Sequence, residues 1–155
     1  MALKKGDKAP SFKLFNSEKK EVSSEDFKGK NLIIHFFPAA FTGVCTTQLC
    51  TMRDDLSFYT KLNAEVIGIS VDSVFTLGKF KEEQKYNFNL LSDFNKEVSK
   101  AYGTLYDGFV FGMKGVSQRA AFVIDKDGII QYAEITESVG VLPKFDEIKK
   151  ALSAI

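Results

Sequence analysis

Asn31-Leu32-Ile33-Ile34-His35-Phe36-Phe37-Pro38-Ala39-Ala40-Phe41-Thr42-Gly43-Val44-Cys45-Thr46-Thr47-Gln48-Leu49-Cys50 is the stretch from which the rest of the chain is read. Asn31 to Phe37 is a nearly continuous apolar run rich in Ile and Phe. That pattern predicts a strand buried on both faces. Pro38 ends it. From Thr46 to Leu62 the apolar residues Leu49, Met52, Leu56, Tyr59 and Leu62 fall three or four apart, which predicts one face of an amphipathic helix. The segment between them leaves the carboxyl end of a buried strand and enters a helix. In open α/β sheets, ligands bind outside such strand ends.

Working outward, Glu65 to Val71 reads as a second buried strand. Val74 to Tyr86 reads as a second helix with Val74, Leu77 and Phe80 on one side. Phe88 to Leu91 suits a short strand and Asn95 to Tyr102 a short helix. Gly103 to Ser117 is punctuated by Gly103, Gly108, Gly112 and Gly115 and reads as a long loop. Ala120 to Asp125 and Ile129 to Ile135 flank Lys126-Asp127-Gly128, a hairpin signal. Lys144 to Ile155 closes the chain as a helix with Phe145, Ile148, Leu152 and Ile155 inward. Toward the N-terminus, Ser11 to Phe15 suits a hairpin strand, and Ser23 to Phe27 a capped helical turn. Alternation first and a hairpin last predict an α/β fold: a central mixed sheet with helices on both faces. The thioredoxin-like fold has this shape, here with an N-terminal β-hairpin extension.

The 155 residues suit a single domain over 1–155. Apolar residues make up 45% and charged residues 26%, an ordinary globular balance. Lys plus Arg is 21 and Asp plus Glu is 20, a net charge of +1. Near-neutrality argues against a nucleic-acid binder working by phosphate neutralisation and against a polybasic membrane anchor. No run approaches the ~18 apolar residues of a membrane span. The start, Met1 to Asp7, has no apolar signal core, so a cytoplasmic chain is expected. Two cysteines are too few for a secreted disulfide framework; as cytosolic thiols they are expected reduced at rest, with any disulfide transient.

A helix beginning near Gly43 puts Cys45 in its first turn, where free N–H groups and the helix dipole favour a thiolate. The dipole is not sufficient alone. A thiol of ordinary acidity is only about 3% ionised at pH 7, and making it mostly thiolate takes ~3.4 kcal/mol. A helix terminus supplies about 0.3–1 kcal/mol, up to ~2 in favourable geometry. A cation should supply the rest. The chain has two arginines, Arg53 and Arg119. Arg119 opens the strand Ala120 to Asp125, which can lie beside the first strand. Arg53 sits two turns along the helix and suits a local pair with Asp54 or Asp55.

Pro38, Thr42 and Cys45 form a P-x-x-x-T-x-x-C pattern that resembles the signature of peroxiredoxins. Gln118-Arg119-Ala120-Ala121-Phe122-Val123-Ile124-Asp125 is similar to their active-site arginine strand. Gly6-Asp7-Lys8-Ala9-Pro10-Ser11-Phe12 and Leu91-Ser92-Asp93 also look like family landmarks. The similarity runs from about residue 3 to 150. The Cys45–Cys50 spacing is similar to the bacterioferritin-comigratory (PrxQ) group. Phe36 to Gly43 and Val98 to Gly103 are closer to the AhpE-type one-cysteine group.

The resemblance implies a thiol-dependent peroxidase acting on hydrogen peroxide and alkyl hydroperoxides without a cofactor. Cys45 attacks the peroxide and becomes a sulfenic acid. Arg119, Thr42 and the backbone near Val44 and Cys45 hold the oxygens, Pro38 shields the sulfur, and Gln48 orients an arginine. Cys50 is the candidate resolving thiol, and thioredoxin or a similar dithiol the expected reductant. A homodimer is plausible, with the Gly103 to Ser117 loop as its surface. Residues i and i+5 of an α-helix have Cα atoms ~8.6 Å apart, whereas a disulfide tolerates at most about 7 Å. A Cys45–Cys50 bond therefore requires local unwinding.

Plainer readings stand beside these. Both cysteines suit inert core positions, Thr42 a simple N-cap, Gln48 a solvated first-turn residue and Pro38 a strand stop. His35 suits a satisfied core residue. The Phe cluster is mostly core, with Phe41 or Phe109 as candidates for an exposed collar. Two Cys and one His miss the four ligands of structural zinc. The competing functions are a thiol–disulfide oxidoreductase, which favours C-x-x-C over the C-x-x-x-x-C found here, and a redox-controlled chaperone or interaction protein.

Overall fold

The computed structural model describes residues 3–155. Met1 and Ala2, part of the start read above for a targeting signal, lie outside the described residues. The strands are β1 (Lys13–Asn16), β2 (Glu21–Ser23), β3 (Asn31–Phe36), β4 (Ala64–Ser70), β5 (Asn89–Ser92), β6 (Ala120–Ile124) and β7 (Ile130–Ile135). The helices are α1 (Gly43–Asp54), α2 (Leu56–Lys61), α3 (Val74–Gln84), α4 (Glu97–Ala101) and α5 (Phe145–Ser153). A short 3₁₀ turn (Ser24–Phe27) follows β2, closed by a reciprocal capping box between Ser23 and Asp26.

The strands form one mixed sheet in the order β2-β1-β5-β4-β3-β6-β7. β3, β4 and β5 are parallel; β6 pairs antiparallel with β3, and β7 antiparallel with β6. The hairpin β1–β2 joins through an antiparallel β1–β5 pairing. This is the thioredoxin-like α/β architecture that the alternation predicts.

The side-chain alternation of β3 divides the core. Ile33 and Phe37 face a layer made with Leu49 and Met52 of α1, Tyr59 of α2, Leu77 and Phe80 of α3, and Ile148 and Leu152 of α5. Leu32, Ile34 and Phe36 face the other layer, with Phe27, Val98 of α4, Tyr102 and Phe122. Both faces of β3 are buried, which is why its sequence lacks polar alternation. No helix among the described residues is long and apolar enough to cross a membrane.

The structure corrects several sequence expectations. The Thr46–Leu62 helix is two helices, because Asp55 breaks the run with φ −99° and ψ 7° and accepts from Phe58 N–H in a tighter turn. The apolar stripe continues across the break, so spacing alone did not reveal it. The final helix stops at Ser153, and Ile155 is exposed rather than inward. The Gly103–Ser117 segment, by contrast, is a loop as its glycines suggest, with a 3₁₀ turn at Val110–Gly112 and a single bridge between Leu105 and Ser117.

Gly68 in β4 sets how closely α1 lies on the sheet. A Cβ there would stand 2.9 Å from Leu90 Cδ2, 3.3 Å from Phe37 Cε1 and 3.5 Å from Leu49 Cδ2. All three neighbours are buried and packed. Gly68→Ala is expected to lower unfolding free energy by about 1–3 kcal/mol through overpacking. Urea denaturation measures this; an unchanged midpoint would mean the three side chains move aside freely.

Candidate active site

β3 delivers the chain to Pro38, which is buried at the strand exit. The following loop is pinned from the next strand crossover. Asp72 Oδ2 accepts from Ala40 N–H at 2.8 Å and from Ser70 Oγ at 2.7 Å. Phe41 has φ +66°, the left-handed region that non-glycine residues avoid. Its ring is half exposed and lies on Phe80, with centroids 5.0 Å apart. Thr42 is the N-cap residue of α1 but does not cap with its side chain. Its Oγ1 donates to Ala39 O at 2.8 Å instead. The first helical bond runs from Thr46 N–H to Thr42 O at 2.9 Å. The N–H groups of Gly43, Val44 and Cys45 therefore lack partners within the helix.

Cys45 is the third residue of α1, a free thiol and fully buried. Arg119 immediately precedes β6, whose antiparallel register pairs Ala120 with Phe36. That register carries the arginine beside the exit of β3. Arg119 Nη1 lies 3.1 Å from Cys45 Sγ and 3.0 Å from Gln48 Oε1. Nε and Nη2 donate to Val139 O at 3.2 and 2.8 Å. These contacts occupy four of the five guanidinium N–H groups.

Arg119 is 1% exposed. Among the described residues no carboxylate forms an ion pair with it; Arg53 pairs instead with Asp54 at 3.0 Å. A buried cation without a counter-charge is strongly unfavourable. The acceptors that face it are Cys45 Sγ, Gln48 Oε1 and Val139 O.

Gln48 is buried, not solvated. Its Nε2 lies 2.8 Å from His35 Nδ1 and 3.3 Å from Phe36 O. His35 is buried in the core as expected but only half satisfied: its Nε2 has no partner. Burial pushes its pKa down from 6.5 to about 3. Val44, next to Cys45 in α1, is half-buried, and Pro38 at the exit of β3 is buried.

Cys50 is half-buried and looks elsewhere, toward Gln84 Oε1 at 3.7 Å and Tyr86 Oη at 3.8 Å. The Tyr86 hydroxyl is itself held well above its ordinary acidity range, first by burial and then by its contact with Cys50. Phe109 is half-buried and lies against Tyr106.

Three contributors escaped sequence reading. Val139 acts through a backbone carbonyl, which carries no residue-type signal. Asp72 looked like any polar residue after a strand. His35 was legible as core, but its link to Gln48 needed the strand and helix brought together.

A buried thiol faced by a buried guanidinium, at a strand-to-helix turn of a thioredoxin-like sheet, defines a cysteine-based redox enzyme. Residues 5–133 match the AhpC/TSA family model. A Mycobacterium tuberculosis protein provisionally named as a peroxiredoxin is 40% identical over 134 residues, covering 85% of each chain. Peroxiredoxin Bcp of Escherichia coli K12 is 36% identical over 132 residues, covering 84% of each. The crystal structure of peroxidoxin BcpB from Mycobacterium tuberculosis superposes with a TM-score of 0.87 at 28% identity, covering 99% of this chain and 98% of that one. The chain belongs to the AhpC/TSA family and is a peroxiredoxin, a peroxidase of the oxidoreductase class.

The low value for His35 makes a pH prediction. The unfolded chain takes up this proton below pH 6.5, the folded chain only near 3. Protons therefore favour unfolding within that window, and stability rises with pH across it by up to about 1.4 kcal/mol per pH unit. Above the window this contribution is constant. In His35→Leu that part of the slope should vanish, as read by urea denaturation of both proteins at several acidic pH values and at neutrality.

Proposed function

We propose that Cys45 is the peroxidatic residue and that this chain reduces hydrogen peroxide and alkyl hydroperoxides. The observation that carries the reading is the buried, carboxylate-free guanidinium of Arg119 placed 3.1 Å from Cys45 Sγ. In the reaction, the thiolate attacks the terminal peroxide oxygen. An S–O bond forms, the O–O bond breaks, and the leaving oxygen departs as alkoxide or hydroxide and takes up a proton from water. The remaining Nη2–H of Arg119 and the unpartnered N–H groups at the start of α1 are suited to the charge moving onto that oxygen. Thr42 Oγ1 already donates to Ala39 O, so its lone pairs are available to the hydroperoxide O–H. Pro38 shields the sulfur. Gln48 fixes Arg119, and Val44 contributes its backbone N–H.

Cys50 completes the cycle in this reading. Its sulfur attacks the Cys45 sulfenic sulfur, an S–S bond forms, the S–O bond breaks, and the departing oxygen takes the proton given up by the Cys50 thiol and leaves as water. Both cysteines lie on unbroken α1, so the helix must open first. Three threonines make that easier: Thr46, Thr47 and Thr51 each turn their hydroxyl back onto the carbonyl four residues earlier, at 2.8, 3.1 and 2.8 Å. Such back-bonding weakens a helix slightly. The disulfide is then reduced by thioredoxin or a similar dithiol. A homodimer in the reducing cytoplasm fits this scheme, with Phe111 and Met113, both exposed, on the long loop as its candidate surface.

Two measurements test the proposal. Arg119→Met should slow Cys45 oxidation by hydrogen peroxide by about 10²–10³-fold, the scale of losing a preorganised donor. A wild-type rate no faster than that of free cysteine overturns the peroxidatic assignment. After one equivalent of peroxide, mass spectrometry should find an intramolecular disulfide in wild type and a stable sulfenic acid in Cys50→Ser. Wild type stopping at sulfenic acid would remove the resolving role from Cys50.

A further inference from the structure

Among the described residues, two buried side-chain polar atoms lack a hydrogen-bond partner: the Tyr59 hydroxyl and Nε2 of His35. His35 is the only histidine of the chain. It sits in β3, between parallel β4 and antiparallel β6, and is fully enclosed. Its ring stacks on Phe145 of α5 at 6.0 Å. An orphaned N–H in a core is unfavourable, and an apolar side chain would occupy the same place without it. What the ring supplies is found at its other nitrogen, 2.8 Å from Gln48 Nε2.

The Gln48 amide is fixed from both ends. Its Oε1 faces Arg119 Nη1 at 3.0 Å, and its Nε2 faces Phe36 O at 3.3 Å. A guanidinium can only donate and a carbonyl can only accept. The amide nitrogen therefore donates to His35 Nδ1, and the ring is neutral with its proton on Nε2. Its burial-lowered pKa, about 3, agrees with a ring that stays neutral.

We propose that His35 is a positioning residue for Cys45: it holds the Gln48 amide so that Gln48 Oε1 keeps Arg119 Nη1 against the sulfur. The inference rests on the peroxidatic reading of Cys45. No proton moves along this chain of contacts. Without the Nδ1 acceptor, one Gln48 N–H is left unpartnered in the core. A flipped amide would then set its NH₂ against the guanidinium, donor against donor, and Arg119 would lose one of the two acceptors that aim Nη1.

The test compares the rate of Cys45 oxidation by hydrogen peroxide in wild type, His35→Leu and His35→Asn, with and without Gln48→Leu. His35→Leu should slow the reaction about tenfold, the effect of a small misplacement of a catalytic group. His35→Asn should recover most of the rate, because its Oδ1 offers an acceptor near the place of Nδ1. In the Gln48→Leu background His35→Leu should have no further effect. ¹⁵N NMR of the single histidine should find the proton on Nε2 in wild type and a redistributed proton in Gln48→Leu, where Nδ1 is released. Equal losses in the Leu and Asn variants, an undiminished His35 effect without Gln48, or a wild-type proton on Nδ1 would each overturn the proposal. Should His35→Leu not fold, the two spectra decide it: an imidazole signal unchanged by Gln48→Leu refutes the link. A wild-type Cys45 that ignores peroxide would instead refute the peroxidatic reading and leave the tautomer result intact.

Discussion

A guanidinium buried without a carboxylate organises this molecule. Arg119 is almost wholly withdrawn from water, and its donors go to a backbone carbonyl, an amide oxygen and a cysteine sulfur. Two of those acceptors are neutral. In the proposed peroxidatic reading, charge balance falls on the sulfur, because an uncompensated cation in a medium of low polarity is far more costly than an ion pair. The fold secures the pairing by topology rather than by sequence proximity. β6 runs antiparallel to β3, so the residue before β6 stands beside the residues after β3, and the two partners meet although 74 positions apart.

The surroundings serve that pairing at several removes. Asp72 pins the loop ahead of α1 through Ala40 N–H, and Phe41 accepts an unfavourable backbone conformation while resting on Phe80. Thr136 fixes the Arg119 carbonyl through both its N–H and its hydroxyl. Gln48 bridges the guanidinium to the sheet interior. Each contact is modest, but together they fix the arginine in place, as the proposed reaction requires. Preorganised charge of this kind stabilises a transition state without reorganisation during the reaction.

The two cysteines share a helix and little else. Cys45 is enclosed against a cation; Cys50 is partly open and held by Gln84 and Tyr86 on the far side of α1. A helix rigid enough to present Cys45 in its first turn is for that reason unable to bring Cys50 to it. The threonines of α1 turn their hydroxyls back onto the helix and weaken its hold, which the proposed Cys45–Cys50 disulfide would need.

Much of this was legible in the chain itself. The apolar run of β3, the Pro38-Thr42-Cys45 spacing and the arginine ahead of an Ala-Ala-Phe-Val-Ile strand point to the fold and the family, because burial on both faces and helix entry leave marks in residue order. The break at Asp55 was hidden because an apolar stripe can cross two helices. The half-satisfied state of His35, the carbonyl of Val139 and the grip of Asp72 on Ala40 were hidden for a different reason. Each depends on which groups lie within hydrogen-bonding distance once β3, α1, β6 and the loop before α5 are packed together. Residue order dictates which surfaces must be buried; only packing dictates which polar atoms are buried facing one another.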